Sequence, residues 1–271
     1  MKTCVLIPSH IYYDNQIDLL EKCIISLINQ TEETHIFLSI SFDNKSFQKE
    51  FVDKIMKRYE TVKYSFSKTK KFQMEHIIIL FHKIKGYDLI FFCDDDDEYQ
   101  LNRIEVLKNI YVRNITERKH LEVSGIREQY DDKTQEFQEY WCYAITYKCL
   151  EGFVKIFKNN MDLMRHVYGD MYLRLYLGLK KGLTFGRPRC EILYRYNLNN
   201  PNSICGNKDI HFKEVIERNI LLYVIHENYC SLDTLEFMRD GLRKMGINID
   251  KVKKTIPNYE RIQVIKQQLT Y

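Results

Sequence analysis

Apolar and polar positions follow two rhythms along the first half of the chain. Cys4 to Pro8 is a short apolar run. From Asp18 to Gln30 the residues Leu19, Leu20, Cys23, Ile24, Leu27 and Ile28 recur at threes and fours, which predicts an amphipathic helix. Ile36 to Phe42 is rich in β-branched and aromatic residues and ends at Asp43, as a strand would. Phe47 to Tyr59 then predicts a helix, Val62 to Phe66 a strand, and Met74 to Lys85 a helix that Gly86 breaks. Leu89 to Cys93 is another strand, and Leu101, Ile104, Leu107, Ile110 and Tyr111 mark one more helix. Alternation at this pitch predicts right-handed βαβ units, hence an α/β fold with a mostly parallel sheet flanked by helices. Ligands of such sheets bind beyond the carboxyl ends of the strands. Three polar clusters fall there: Pro8-Ser9-His10, Asp43-Asn44 and Asp94 to Asp97.

The second half is less regular. Glu122 to Tyr130, Glu139 to Tyr147 and Cys190 to Tyr196 read as strands, and Asp170 to Leu179 as a helix. After Gly206 the pattern is helical, with caps at Ser231 and Asn248 and no Gly-rich linker. We therefore expect a domain over 1–205 and a C-terminal helical extension over 206–271. The stripe Val215, Ile216, Ile220, Leu221, Val224, Ile225 suits packing on the main domain or a homodimer seam. The cluster Lys251 to Lys254 reads as a solvated helix face rather than a membrane contact.

Composition narrows the function classes. The 271 residues carry 41 basic and 37 acidic side chains, a formal charge of +4 too balanced to demand a nucleic-acid partner. No apolar run approaches a membrane span, and Cys4 to Ile7 is too short for a signal peptide. Eight cysteines without a C-x-x-C pair predict reduced thiols and a cytoplasmic location.

The candidate chemistry centres on IFFCDDDDEYQLNRIE, where four aspartates follow an apolar strand. Three readings compete. One is a solvated acidic turn. An EF-hand loop places Asp94, Asp96, Glu98 and Glu105 at its ligand positions but Tyr99 where the turn needs glycine, so it fails. The third is a Mg²⁺ or Mn²⁺ site, in which a cation offsets the mutual repulsion and phosphate oxygens complete its shell.

Other segments carry a family resemblance. VLIPSHIYYDNQIDLLEKCIISLINQT resembles the N-terminus of family 2 glycosyltransferases, with Asp43 at the position of their base-contacting aspartate. FFCDDDDEYQLNRIEVL is similar to their F-L-D-x-D-D…R-L-E signature, the D-x-D motif. YGDMYLRLYLGLKKG resembles the E-D-x-x-L-x-x-R-x-x-x-x-G segment, and ILYRYNLNNPNSI the Y-R-x-x…S strand and loop. The matches run in order over about three quarters of the chain. The resemblance implies a GT-A fold and a metal-dependent, inverting transferase moving a hexosyl or N-acetylhexosaminyl group. Its donor would be a UDP- or GDP-sugar, its acceptor a glycan, protein or lipid hydroxyl, and its role carbohydrate biosynthesis. It also implies that Pro8, Ser9 and His10 line the nucleotide pocket and Asp43 meets the base. Asp94 would contact ribose or metal, Asp96 would bind Mn²⁺ or Mg²⁺, and Asp170 would be the general base. Asp95 stands beside them in the nucleotide-sugar pocket.

Physical chemistry adds bland alternatives. Asp170 at a helix N-terminus suits capping as well as catalysis. Lys71 could offset phosphate charge, and His76 could line the sugar pocket or be structural. Trp141 could offer a sugar platform or fill the core. The chain departs from the family at His10, at Gly169 in place of glutamate, and at Asn197 where some members have a metal-binding histidine, with His211 a distant substitute. A catalytically silent nucleotide-sugar-binding scaffold is the competing reading.

Overall fold

A computed structural model describes residues 1–117, 123–128, 139–165, 169–186, 193–197, 200, 219–224, 227, 232–255 and 258–270. His211, Val215, Ile216, Ile225 and the Ser231 cap lie outside them, as do Cys190, Cys205 and Cys230. The first half forms β1 (Thr3–Ile11), α1 (Gln16–Ile28), β2 (His35–Phe42), α2 (Lys45–Phe51), β3 (Lys63–Phe66), α3 (Gln73–Phe81), β4 (Leu89–Phe92), β5 (Glu98–Tyr99) and α4 (Arg103–Glu117). Then come β6 (Gly125–Arg127), β7 (Tyr143–Thr146), α5 (Tyr147–Phe157), α6 (Met161–Met164), α7 (Asp170–Leu179), β8 (Phe185–Gly186) and β9 (Tyr194–Arg195).

The main sheet has the order β3-β2-β1-β4-β7-β6-β8. Pairing is parallel from β3 through β4 and antiparallel on both sides of β7. β2 lies on one side of β1 and β4 on the other, so the connections diverge at β1. That makes the gap between the carboxyl ends of β1 and β4 the switch-point crevice where open α/β sheets bind ligands. Pro8 helps open it. Cys93 N donates to Leu6 O, so Leu6 faces β4, and so does Pro8 two residues on. β4 has left the ladder by then, with its last register pair at Leu6 and Phe92, and the missing proline N–H costs no sheet bond.

Both faces of β1, β2 and β4 are covered, and Cys4, Leu6, Leu38, Ile40, Ile90 and Phe92 are fully buried. The Glu139 to Tyr147 segment departs from the strand expected of it. Tyr140–Cys142 is a 3₁₀ turn, and β7 ends where the Thr146 side chain accepts from Cys149 N and caps α5. Further on, Leu221, Val224, Ile262, Ile265 and Leu269 join the main core. Lys266 is buried and donates to the carbonyls of Val224 (2.6 Å) and Glu227 (2.9 Å), so a buried cation satisfies two backbone acceptors. Lys253 pairs with Glu227, so the basic cluster is partly internal.

One buried ion pair ties the C-terminal half to the acidic turn. Arg103, 0% exposed, donates from Nε to Glu128 Oε2 at 2.6 Å and from Nη2 to Trp141 O at 2.9 Å. Glu128 Oε1 accepts from Leu193 N at 3.0 Å, just before β9. The guanidinium also lies 4.1 Å from the Tyr99 ring and 5.1 Å from that of Tyr194, the pair that joins β5 to β9. Removing one member of such a pair leaves the other buried and uncompensated, at a cost of about 3–5 kcal/mol. Glu128→Ala should lower the stability read from chemical denaturation by about that amount. Lys54→Ala, in an exposed pair with Glu50 and Asp18, should stay near wild type; equal losses in the two variants would refute the assignment.

Candidate functional site

The three polar clusters meet at the crevice. Ser9 Oγ, at the end of β1, donates to Asp95 Oδ2 at 2.6 Å across the switch point. Gln16, at the start of α1, donates to the same oxygen at 3.1 Å and to His10 O at 3.0 Å. His10 Nε2 lies 2.9 Å from Asp43 Oδ1 at the end of β2. Thus Ser9, His10, Asp43 and Asp95 form one connected surface, with Pro8 buried beneath it.

Each aspartate of the turn has its own neutral donors. Asp94 Oδ1 accepts from Gln73 at 2.8 Å and from the Tyr140 hydroxyl. Asp96 Oδ2 accepts from Asn200 at 2.7 Å, and Asn200 also reaches Tyr13 OH at 2.9 Å. Asp97, 1% exposed, accepts from Tyr194 OH at 2.7 Å and Asn197 N at 2.8 Å. Tyr194 OH in turn accepts from Asp94 N at 3.1 Å, so one phenol ties both ends of the turn. Asp94, Asp95 and Asp96 keep partial exposure. No Lys or Arg ion pair reaches any of the four among the described residues. Burial is the first cause that raises all four carboxyl pKa values, and neighbouring aspartates add to it at Asp94, Asp95 and Asp97. Asp95 and Asp97 are pushed up to about 7, Asp94 well above the ordinary value, and Asp96 upward.

The other expected site residues divide. Asp170 opens α7, half-buried, and its charge acts on Tyr140, whose hydroxyl bonds Asp94. Tyr140 is a residue the sequence reading did not single out. His76 is 1% exposed, held between Ser39 Oγ (2.8 Å) and Ser41 Oγ (3.2 Å), and burial pushes its pKa down to about 3. It presents no face to a sugar. Lys71 Nζ lies 3.6 Å from Glu75 Oε1. Trp141 is 5% exposed and stacks on Tyr194 at 4.2 Å and Tyr196 at 5.7 Å, the core alternative rather than a platform. Gln16, Gln73, Tyr140, Asn200 and Tyr194 are the supporting residues that sequence missed. Neutral donors scattered over the chain leave no periodic signal, and only contact with the turn reveals them.

No protein-family profile and no curated protein sequence matches the chain. Solved structures match it by shape. It aligns with S. aureus TarS 1–349 in complex with UDP-GlcNAc at TM-score 0.53 and 12% identity, over 98% of this chain and 84% of that one. The TarS 1–349 complex with UDP gives 0.53 and 10%, over 93% and 77%. The mannosyltransferase PcManGT from Pyrobaculum calidifontis, in complex with GDP-Man and Mn²⁺, gives 0.52 and 8%, over 99% and 86%. The chain has the GT-A fold. It spans 42% of the longer TarS chain. The expected α/β architecture with a mostly parallel flanked sheet is thereby the observed one, and no helix among the described residues is long and apolar enough to cross a membrane.

No three His, Cys, Asp or Glu side chains among the described residues converge as a metal cage. What the turn offers is hard carboxylate oxygens with no cationic partner, and Asp94 Oδ2 takes no hydrogen bond among the described residues. That donor set suits Mg²⁺ or Mn²⁺ bound through one or two carboxylates and completed by phosphate and water.

The raised carboxyl values have a consequence for stability. The folded carboxyls hold protons that unfolded ones release near 3.8, so this contribution is full below that pH and is lost as pH rises towards 7. His76 acts oppositely, but its contribution is complete by its unfolded value of 6.5. With chelator present, the thermal midpoint should therefore still be falling as pH rises from 6.5 through about 7, where His76 no longer opposes it, and Asp95→Asn should flatten that slope. Mn²⁺ should raise the midpoint more at alkaline than at acidic pH. A metal-free midpoint that climbs through this range would refute the account.

Proposed function

We propose that the protein is a glycosyltransferase that takes a hexosyl or N-acetylhexosaminyl group from a nucleotide-diphosphate donor, with Mn²⁺ or Mg²⁺, and inverts the anomeric centre. The observation that carries this reading is the placement of half-buried carboxylates, without an ion pair to Lys or Arg among the described residues, in the switch-point crevice, contiguous with the His10–Asp43 pair. The solved structures of this fold support it, since they include complexes with UDP-GlcNAc and with GDP-Man and Mn²⁺.

The roles follow from the chemistry. Asp96, with Asp94, would hold the cation, which as a Lewis acid offsets charge on the leaving diphosphate. Tyr140 and Gln73 fix the Asp94 carboxylate by occupying Oδ1. The acceptor oxygen bonds to the anomeric carbon as the carbon–oxygen bond to the diphosphate breaks. The acceptor hydroxyl must then lose its proton, and Asp170 takes it. Asp43 meets the nucleobase. Residues 1–205 would form the transferase unit and 206–271 a helical extension. The acceptor would be a hydroxyl of a glycan, protein or lipid.

Titration with UDP- and GDP-sugars in Mn²⁺ should show saturable binding that Asp43→Ala and Asp96→Asn each weaken roughly tenfold or more. Binding indifferent to both substitutions would end the proposal. For the chemical step, Asp170→Asn should cut turnover about a hundred- to ten-thousand-fold while leaving donor affinity unchanged. Near-normal turnover in that variant would remove Asp170 as the base.

A further inference from the structure

Five side chains run in a line from the core to the crevice. Ser39 and Ser41 are alternate residues of β2 and share one face, and His10 on β1 is in register with Ser41. His76, from α3, sits against both serines. The contacts are Ser39 Oγ to His76 Nδ1 at 2.8 Å, His76 Nε2 to Ser41 Oγ at 3.2 Å, Ser41 Oγ to His10 Nδ1 at 2.8 Å, and His10 Nε2 to Asp43 Oδ1 at 2.9 Å. Ser39 and Ser41 are fully buried, and Asp43 at the outer end keeps 47% of its side-chain surface.

Donors and acceptors can be assigned outward-in. An ionised Asp43 only accepts, so His10 donates from Nε2. With Nε2 protonated, neutral His10 accepts at Nδ1 from the Ser41 hydroxyl. Ser41 Oγ then accepts from His76 Nε2–H, with the backbone N–H of Lys71 at 3.4 Å as its second donor. His76 Nδ1 is left to accept from Ser39. Every buried hydrogen finds an acceptor in this direction. In the reverse direction the Ser39 hydroxyl hydrogen has no acceptor among the described residues, and a buried unmatched donor is costly.

We infer that Ser39, His76, Ser41 and His10 form a one-way hydrogen-bond chain that holds Asp43 committed at Oδ1 and acceptor-only at Oδ2, a selector for a lactam N–H on the nucleobase. Uracil and guanine carry such an N–H on their pairing edge, whereas adenine and cytosine present a ring acceptor there. Asp43 Oδ2 takes no hydrogen bond among the described residues. His10, Ser41 and His76 are positioning residues, and the inference rests on reading the crevice as a nucleotide site.

The charged and titratable groups around the chain agree with this direction. His10 faces Asp43 on β2, Lys70 from the segment before α3, the Tyr12 ring stacked at 5.9 Å, and His76 through Ser41, while Lys71 acts on His76. Asp95 lies across Ser9 on the β4 side. Burial, then Lys70, lowers the His10 pKa against the opposing pull of Asp43 and of the Ser41 backbone; the net direction favours the neutral ring, which can accept from the Ser41 hydroxyl.

Two readouts test it. Nitrogen-15 spectra of the histidine rings in the ligand-free full chain should show the Nε2–H tautomer at both His10 and His76. Ser41→Ala should raise the His10 pKa, because it removes the donor that favours the neutral ring, and Ser41→Thr should restore it. Nδ1–H tautomers, or an unchanged His10 titration in Ser41→Ala, overturn the chain. The second readout is the ratio of affinities for UDP and N3-methyl-UDP, roughly tenfold or more in the wild type. It should shrink severalfold in Ser41→Ala and recover in Ser41→Thr; a ratio near one in the wild type overturns the selector. The assigned tautomers with no binding of any nucleotide would overturn the nucleotide reading and the selector role with it, and leave the hydrogen-bond chain standing.

Discussion

The constraint on which this structure turns is electrostatic: four adjacent carboxylates stand where a buried strand ends, without an ion-paired cationic side chain among the described residues. Left to themselves they would repel one another and seek water. The fold answers with neutral donors instead. Ser9 and Gln16 hold Asp95, Tyr140 and Gln73 hold Asp94, Asn200 holds Asp96, and Tyr194 and Asn197 hold Asp97. Donors from β1, α1, α3, the Tyr140 turn and the segment after β9 converge on a few residues. A lysine or arginine there would relieve the repulsion more fully, and it would also remove the reason to bind a cation.

The compensating charge is placed one layer back. Arg103 is buried beside Tyr99 and Tyr194 and neutralised by Glu128, so it stiffens the β5–β9 pair without reaching the aspartates. Its effect arrives through Tyr194, whose hydroxyl bonds both Asp97 and the Asp94 backbone. Strength in the support and unmet charge at the surface are thus separated by a single aromatic ring.

How far this was legible in the sequence depends on the scale of the signal. Apolar periodicity located β1, α1, β2, β3, α3, β4 and α7, because each buries a continuous face and the rule is local. It misread Tyr140–Cys142 as strand, since those three residues are as apolar as β7 and only the Thr146 cap marks where the helix begins. The polar clusters at the strand ends were readable as a site because the βαβ rhythm brings strand ends together. Their partners were not, since Ser9 and Asp95 are 86 residues apart and nothing in either neighbourhood names the other. His76 shows the same limit. On its helix it could face a ligand or a core, and the choice was made by Ser39 and Ser41 on another strand.

The two ends of the crevice solve opposite problems. At the aspartate turn, charge is concentrated and its partner withheld, which favours a ligand bringing a cation and a polyanion together. At Asp43, one carboxylate oxygen is satisfied by His10 and the other takes no hydrogen bond among the described residues, which favours a single directed hydrogen bond. A nucleoside diphosphate has this polarity, with a base that needs direction at one end and phosphates that need countercharge at the other. Ser9 joins the two environments, adjacent in sequence to His10 and hydrogen-bonded to Asp95. Its burial holds them in register, so a ligand that satisfies one end is already aligned with the other.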